Sequence, residues 1–335
     1  MAKILSTGWV LPGRPFTFRF QITGLHPKAT ETLMDGWLDG ISRLTILCFA
    51  GTYALALASE LVRLRGGSKA WWHLLPGLLI GIGWLVQAAY LANLAIQKRA
   101  VPLSSVFESL LLLGWVLAAA ALWLELRTSR SRATLAGPLV LTLALAVVTV
   151  AGTLAPRAGT QPGSGSELAG WGMIHGMFQT LGAVGTSLAF AFAGMYLLQA
   201  RRLKRKQAAP LKFPLPSLEQ SDRWHKTAIL ATFPLLTAGL LTGVALVFAV
   251  QQRPGYLFRW SDPKIVSTLA LWAVSLGLLI ARYQPAWQGR RLMMLTVVAF
   301  GLLVFAVLGV GLILPTAHSG LAALPLPAQG AGAKP

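Results

Sequence analysis

Residues 292–314 read LMMLTVVAFGLLVFAVLGVGLIL, a stretch without one charged side chain. A helix needs roughly 20 apolar residues to cross the hydrocarbon core of a bilayer, so this stretch is long enough to span a membrane. Long, mainly apolar runs recur along the rest of the chain, at residues 42–62, 72–96, 104–126, 133–154, 170–199, 225–250 and 265–282. The sequence therefore predicts an all-α, polytopic integral membrane protein with eight transmembrane helices.

Composition supports the same class. Of the 335 residues, 55% are hydrophobic and 12% are charged, whereas a soluble domain has about 25% charged residues. The single cysteine, Cys48, lies inside the first apolar run, which excludes intramolecular disulfides and cysteine-based metal or redox motifs. The first 20 residues are broken by Pro12, Gly13 and Pro15, so we expect no cleavable signal peptide.

The net charge of +19 reflects membrane topology rather than nucleic-acid binding. Most Lys and Arg residues lie in the short loops that follow the first, third, fifth and seventh runs, and the loop at residues 201–226 is the richest. Cytoplasmic loops of membrane proteins collect positive charge. This pattern predicts that both termini lie outside, although the basic residues of the N-terminal tail disagree mildly.

The runs divide the chain into four parts. We expect an outer tail or surface helix at residues 1–41 and a four-helix membrane part at residues 42–154. A second membrane part follows at residues 155–320, with an aromatic and basic outer loop at residues 251–264. The last segment, residues 321–335, is rich in Ala, Pro and Gly and is expected to be disordered.

Two of the five histidines are candidate ligands. His73 and His225 each follow a tryptophan at the cytoplasmic end of a run, so both are expected to be interfacial. His175 lies about one turn inside the fifth run, and His318 directly follows the eighth, which places both at the outer face. Imidazole is a common iron ligand, and ionisable groups at membrane depth are candidates for function. The alternative is that each is a partly wet histidine at a helix end.

Other candidates surround these histidines. The loop at residues 251–264 combines aromatic side chains, which can stack on a flat macrocycle, with bases that can pair with carboxylates, although an ordinary interfacial belt has the same composition. Glu108, near the outer end of the third run, either faces a polar cavity or partner or caps the helix start. The candidate side chains besides the histidines are Trp171, Tyr256, Phe258, Arg259, Trp260, Asp262 and Glu108.

Several blocks, in order along residues 98–319, resemble the cytochrome c assembly membrane proteins. These blocks are Pro102-Leu-Ser-Ser-Val-Phe-Glu-Ser-Leu110, Phe233-Pro-Leu-Leu-Thr-Ala-Gly-Leu-Leu-Thr-Gly243, Asp262-Pro-Lys264, Trp287-Gln-Gly-Arg-Arg291 and Gly309-Val-Gly-Leu-Ile-Leu-Pro-Thr-Ala-His-Ser319. That family contains CcsA/ResC-type synthetase subunits, CcmC-type heme handlers and HemX-like proteins. The Asp262 block is similar to the end of its tryptophan-rich WWD segment. The resemblance implies that His175 and His318 are axial ligands of heme.

Two departures from the family pattern stand out. Ala100 and Ala281 occupy the places where full synthetases have two further, intramembrane histidines, so the resemblance does not imply a second heme station. The WWD segment is also reduced, with only Trp260 near Asp262.

The sequence thus predicts a membrane protein of c-type cytochrome maturation. It leaves open whether the protein is a cytochrome c heme lyase (synthetase) subunit. The protein would hold non-covalent, transient b-type heme at the extracytoplasmic side of a bacterial plasma membrane and present it to apocytochrome c. A CcsB/ResB-type membrane partner is implied, and no nucleic acid. The alternatives are a non-catalytic, HemX-like heme-binding or regulatory protein, and a structural subunit of a membrane complex that lost its heme.

Overall fold

The computed structural model describes residues 27–64, 71–98, 101–103, 105–128, 135–154, 167–206, 215–251 and 261–310. Within these ranges it describes the side chains of residues 45–63, 74–97, 101–103, 105–127, 135–154, 170–206, 215–249, 251 and 261–310. His318 and four residues of the outer loop, Tyr256, Phe258, Arg259 and Trp260, therefore lie outside the described residues.

Eight long α-helices account for nearly all of the described backbone. They are α1 Pro27–Leu64, α2 Trp71–Lys98, α3 Val106–Thr128, α4 Ala136–Thr153, α5 Glu167–Lys204, α6 Leu218–Gln251, α7 Pro263–Arg282 and α8 Arg290–Val304. A π-helical turn, Phe305–Gly309, continues α8, and a short 3-10 turn, Pro285–Trp287, precedes it. All eight helices are long and apolar enough to cross a membrane. The predicted all-α, multi-pass fold is confirmed.

Most helices are longer than, or close to, the apolar run that predicted them, whereas α8 ends at Val304 and the π-helical turn continues it. The largest difference is in α1, which begins at Pro27, so residues 27–41 belong to the same helix as the first run. Pro76 and Pro234 lie inside α2 and α6. Helix α7 corresponds to the shortest predicted run and still covers 20 residues.

The helices pack as two adjacent groups. Helices α1, α2, α3 and α4 form a closed ring of neighbouring pairs, and α5, α6, α7 and α8 form another. Helix α5 contacts both α3 and α4 and so joins the rings. Stacked aromatic pairs lie inside each ring: Trp84 with Trp115, with ring centroids 5.0 Å apart, and Phe190 with Phe300, 4.1 Å apart.

Successive spans run in opposite directions, which gives the bundle two ends. We call the end where α3, α5 and α7 begin and α6 ends the His175 face, and the opposite end the Arg282 face. The charge pattern predicts that the His175 face is extracytoplasmic.

A buried ion-pair cluster fixes the first ring at the Arg282 face. Arg63 of α1 donates to Glu60, 2.6 Å away, and to both oxygens of Glu125 of α3, at 2.5 and 3.1 Å. All three residues are buried. Charges removed from water need such close partners, because an unpaired buried charge costs several kcal/mol. The cluster therefore ties α1 to α3.

The second ring has a corresponding set of polar contacts at the same face. Arg282 of α7 forms a bidentate pair with Asp222 of α6, with N–O distances of 2.6 and 2.5 Å. His225, one turn further along α6, is fully buried and its Nε2 lies 2.8 Å from the Thr296 hydroxyl of α8. The expectation of an interfacial His225 is wrong, because the side chain is fully buried inside the second ring, where it meets Thr296 of α8.

Candidate functional site

A hydrogen bond holds His175 against α6. Its half-buried ring places Nδ1 2.8 Å from the carbonyl oxygen of Gly239. A carbonyl can only accept, so Nδ1 carries the hydrogen and donates it. In the neutral ring Nε2 is then the basic nitrogen. Ligating histidines in metal sites are commonly oriented this way, by a second hydrogen bond through the other nitrogen.

Gly243 allows the close approach that this bond requires. A β-carbon at this position would stand 2.7 Å from Cε1 and 2.9 Å from Nδ1 of His175, closer than real carbon atoms approach. Gly239, one turn earlier on the same face of α6, packs in the same way against the side chain of Gln179. Two glycines four residues apart thus form the surface on which the histidine lies.

Trp171 lies one turn before His175 on the same side of α5. Residues four apart on a helix are neighbours on its surface. The Trp171 side chain is 52% exposed, in contrast to the half-buried histidine. The pair therefore presents an aromatic surface beside an imidazole at the beginning of a span.

Glu108 lies in the first turn of α3. Its contacts bear on both predicted roles, a cap of the helix start and a carboxylate that faces a polar cavity or partner. The hydroxyl of Ser105 accepts the backbone N–H of Glu108 at 3.2 Å, which is the first half of a Ser-x-x-Glu capping box. The carboxylate is nevertheless 2% exposed and engaged in a further interaction. Leu103 of the same block lies against α5 at Gly176, the residue after His175. The Pro102–Leu110 block thus packs beside the histidine.

Asp262 begins α7. Its carboxylate accepts the backbone N–H of Lys264 at 2.8 Å, Pro263 occupies the first helical position, and the aspartate is 5% exposed. Asp and Pro are favoured at these two positions because they satisfy or remove the unpaired amides of a helix start. This cap fixes the end of the loop at residues 251–264 at the His175 face.

Helices α6 and α7 are joined by a further contact below this face. The indole Nε1 of Trp272 donates to the Thr237 hydroxyl at 3.0 Å, and its ring meets that of Phe233 at a centroid distance of 6.0 Å. Thr237 is two residues before Gly239 on α6. The bond therefore relates the position of α7 to the glycine surface that holds His175.

Four predicted site residues thus lie at one end of the bundle: His175, Trp171, Glu108 and Asp262. Helix α8 also ends there, with its last described residue, Val310, eight positions before His318. The predictions for His318, Tyr256, Phe258, Arg259 and Trp260 fall outside the described residues. In the described part of the chain, no three His, Cys, Asp or Glu residues form a group that could hold a metal ion.

Sequence reasoning missed the roles of Gly239 and Gly243. Their block, Phe233 to Gly243, contributed to the family resemblance, but no function was attached to the glycines. The spacing Gly-x-x-x-Gly was the available signal, since small residues four apart allow close packing of membrane helices. The identity of the packed side chain required the structure.

Similarity to known proteins identifies the family of the chain. A family model described as cytochrome C assembly protein matches residues 103–318. The chain is 29% identical over 333 residues to the cytochrome c biogenesis protein CcsA of Synechococcus elongatus, covering 86% of this chain and 97% of the relative. It is 27% identical over 263 residues to CcsA of Guillardia theta, covering 72% and 85%.

A relative with a different name matches a shorter part. Protein HemX of Brevibacillus brevis is 28% identical over 168 residues, which cover 50% of this chain and 60% of the relative. The family model spans α3 to α8 and includes every helix that contributes to the His175 face of the second ring. The chain belongs to the cytochrome c assembly protein family and has a role in the maturation of c-type cytochromes.

Proposed function

We propose that this protein handles heme during cytochrome c assembly, with His175 and His318 as axial ligands at the extracytoplasmic end of the bundle. The observation that carries the proposal is the 2.8 Å hydrogen bond between Nδ1 of His175 and the Gly239 carbonyl. It fixes one tautomer, in which Nε2 would be the ligating nitrogen.

The described residues fit one axial position of a heme. The carbonyl partner raises the basicity of the imidazole, and the glycine surface limits rotation of its ring. Trp171 provides an exposed aromatic face one turn away. His318 would supply the second ligand, since α8 ends at the same face.

The loop at residues 251–264 would cover the heme. Its aromatic side chains, Tyr256, Phe258 and Trp260, are suited to stacking on the macrocycle, and Arg259 to pairing with a propionate. Asp262 caps α7 and so anchors one end of this loop. Glu108 belongs to the same block as Leu103, which packs against Gly176, the residue after His175.

The protein would contribute binding and orientation. Bound heme would supply the vinyl groups to which the two thiols of an apocytochrome Cys-x-x-Cys-His motif add. Holding the reacting groups together replaces an encounter in solution and can supply much of the rate enhancement. The client would be delivered by a CcsB/ResB-type membrane partner.

A HemX-like, non-catalytic protein that binds heme is the second candidate. Ala281, in place of a family histidine, is buried in the last turn of α7, beside Arg282. The match to Protein HemX also favours this candidate. A structural subunit that lost its heme is the third.

An absorption spectrum of the purified protein tests heme binding. We expect a Soret band in the wild type and its loss in His175→Ala, because a ligand is removed. His73→Ala, which changes a histidine predicted to lie at the opposite face, is the control and should keep the band. No band in the wild type would leave only the structural candidate.

Deletion of the gene separates the first two candidates. Under the heme-presenting function, covalent heme stain of c-type cytochromes disappears and returns with the wild-type gene but not with His175→Ala. Under the HemX-like function, the stain persists.

A further inference from the structure

A cavity of about 290 Å³ opens at the Arg282 face, away from the proposed heme site. Four helix ends meet around it: the last part of α5, the starts of α6 and α8, and the end of α7. Its lining residues are Tyr196, Leu218, Glu219, Asp222, Arg282, Gln288, Gly289 and Leu292. Most of these side chains are polar, which is unusual in a chain with only 10 Asp and Glu residues.

The α6 wall of the cavity is acidic. Glu219 is largely exposed and pairs with Arg223 at 2.7 Å, while Asp222 is 35% exposed and pairs with Arg282. Each carboxylate oxygen has a second lone pair after one hydrogen bond. This wall can therefore accept hydrogen bonds from an ammonium group.

The α8 wall has the opposite character. Gly289, with φ of 73°, is the N-cap of α8 and supplies no capping side chain. The hydroxyl of Tyr196 lies beside it, 3.4 Å from where a β-carbon would stand. Arg290 and Arg291 follow directly and are exposed. Neither arginine lines the cavity, so the features that favour a phosphate there are the helix start without a capping side chain and the Tyr196 hydroxyl beside it.

The cavity lies at the depth of lipid headgroups. The seventh span ends at Arg282 and the eighth begins at Arg290. Tyr283 and Trp287, in the turn between them, are 67% and 45% exposed, as expected for aromatic side chains at the membrane interface. A headgroup can therefore enter the cavity while its acyl chains remain in the bilayer.

We propose that this cavity binds the headgroup of phosphatidylethanolamine, with the ammonium group at Glu219 and Asp222 and the phosphate at the start of α8. Among the ethanolamine, choline and glycerol headgroups, only the ethanolamine headgroup carries a phosphate together with an ammonium group that has donor hydrogens. Phosphatidylcholine has a quaternary ammonium without a donor hydrogen, and phosphatidylglycerol has no cation for the acidic wall.

Native mass spectrometry of the full-length protein, titrated with equal mixtures of the three lipids, tests the proposal. We expect ethanolamine lipid to be retained over choline lipid by up to about fivefold, the limit of an exposed ion pair. Preference for the glycerol lipid, or no preference, would overturn the proposal. Equal affinity for free phosphoethanolamine would overturn the assignment to a lipid.

Two variants of one ion pair sharpen the test. Glu219→Gln should lower the ethanolamine-to-choline ratio toward one, whereas Arg223→Gln, which removes the partner of Glu219 but keeps the carboxylate, should not.

Tyr196→Phe should weaken retention of both zwitterionic lipids by about threefold through loss of one hydrogen bond. Glu167→Gln, at the other end of α5, is the matched control. Equal ethanolamine-to-choline retention ratios in Glu219→Gln and wild type would contradict the assignment of the ammonium group to the α6 wall.

Discussion

The two ends of the bundle are stabilised by different interactions. At the Arg282 face, the described residues include ion pairs in both rings: Arg63 with Glu60 and Glu125, and Arg282 with Asp222. At the His175 face, the histidine is held by a backbone carbonyl and by close packing on glycine.

This difference separates stability from ligand binding. Buried ion pairs require both charged partners, so they fix helix positions but tolerate little change. The hydrogen bond from His175 to a backbone carbonyl orients the imidazole, as ligating histidines in metal sites are commonly oriented. The ion pairs at the Arg282 face therefore stabilise the bundle, while the proposed heme site lies at the His175 face.

The largest effect of a single substitution is expected on the stability of the ion-pair cluster at the Arg282 face. Arg63→Met removes the cation between Glu60 and Glu125 and leaves two buried carboxylates close together. Breaking a buried pair costs about 3–5 kcal/mol, so we expect a large drop in the thermal unfolding midpoint in detergent. Arg127→Gln is the control, because Arg127 lies at the same end but contacts the Trp123 ring, 5.0 Å from its centroid. Equal midpoints of the two variants would show that the cluster does not stabilise the ring.

The next effect is at the His175 face and concerns binding. In Gly243→Ala the new methyl group displaces the His175 ring and lengthens its bond to Gly239. Loss of such an orienting contact lowers affinity for a bound metal group by about 10–100-fold, which a heme titration followed by absorbance would measure. The control is Gly277→Ala, where nothing lies within 4 Å of the new carbon. Unchanged heme affinity in Gly243→Ala would contradict the proposed role of His175.

The smallest effect is expected between the two ends. Thr237→Val removes the acceptor of the Trp272 indole and should cost about 1 kcal/mol, the usual value of one hydrogen bond. The unfolding midpoint and tryptophan fluorescence measure it. Thr149→Val is the control, since the Thr149 hydroxyl bonds only a carbonyl of its own helix. A loss of heme affinity in Thr237→Val larger than in Gly243→Ala would mean that α7 position, rather than the glycine surface, orients His175.

The sequence was sufficient to predict which segments cross the membrane, and it placed His175 near the start of a span. It did not predict that His175 bonds Gly239, a residue 64 positions away, or that Arg63 meets Glu125, 62 positions away. The rotation and crossing angle of two helices decide which of their residues face each other. An apolar run specifies neither, because the lipid-facing and the protein-facing sides of such a helix are both apolar.

His225 shows the same limit. Its position after Trp224 is typical of an interfacial residue, yet it is fully buried and bonds Thr296. Local sequence describes the start of α6 but not the side chain of α8 that His225 meets.

By itself, the sequence determined which segments span the membrane and how the basic loops alternate, because hydrophobic length and charge act residue by residue along the chain. Its motif blocks indicated the family. Only the tertiary structure decided which glycine supports His175, which carboxylates neutralise Arg63 and Arg282, and where four helix ends leave a polar cavity. These depend on contacts between distant segments, whose free energy is set by packing geometry rather than by residue type.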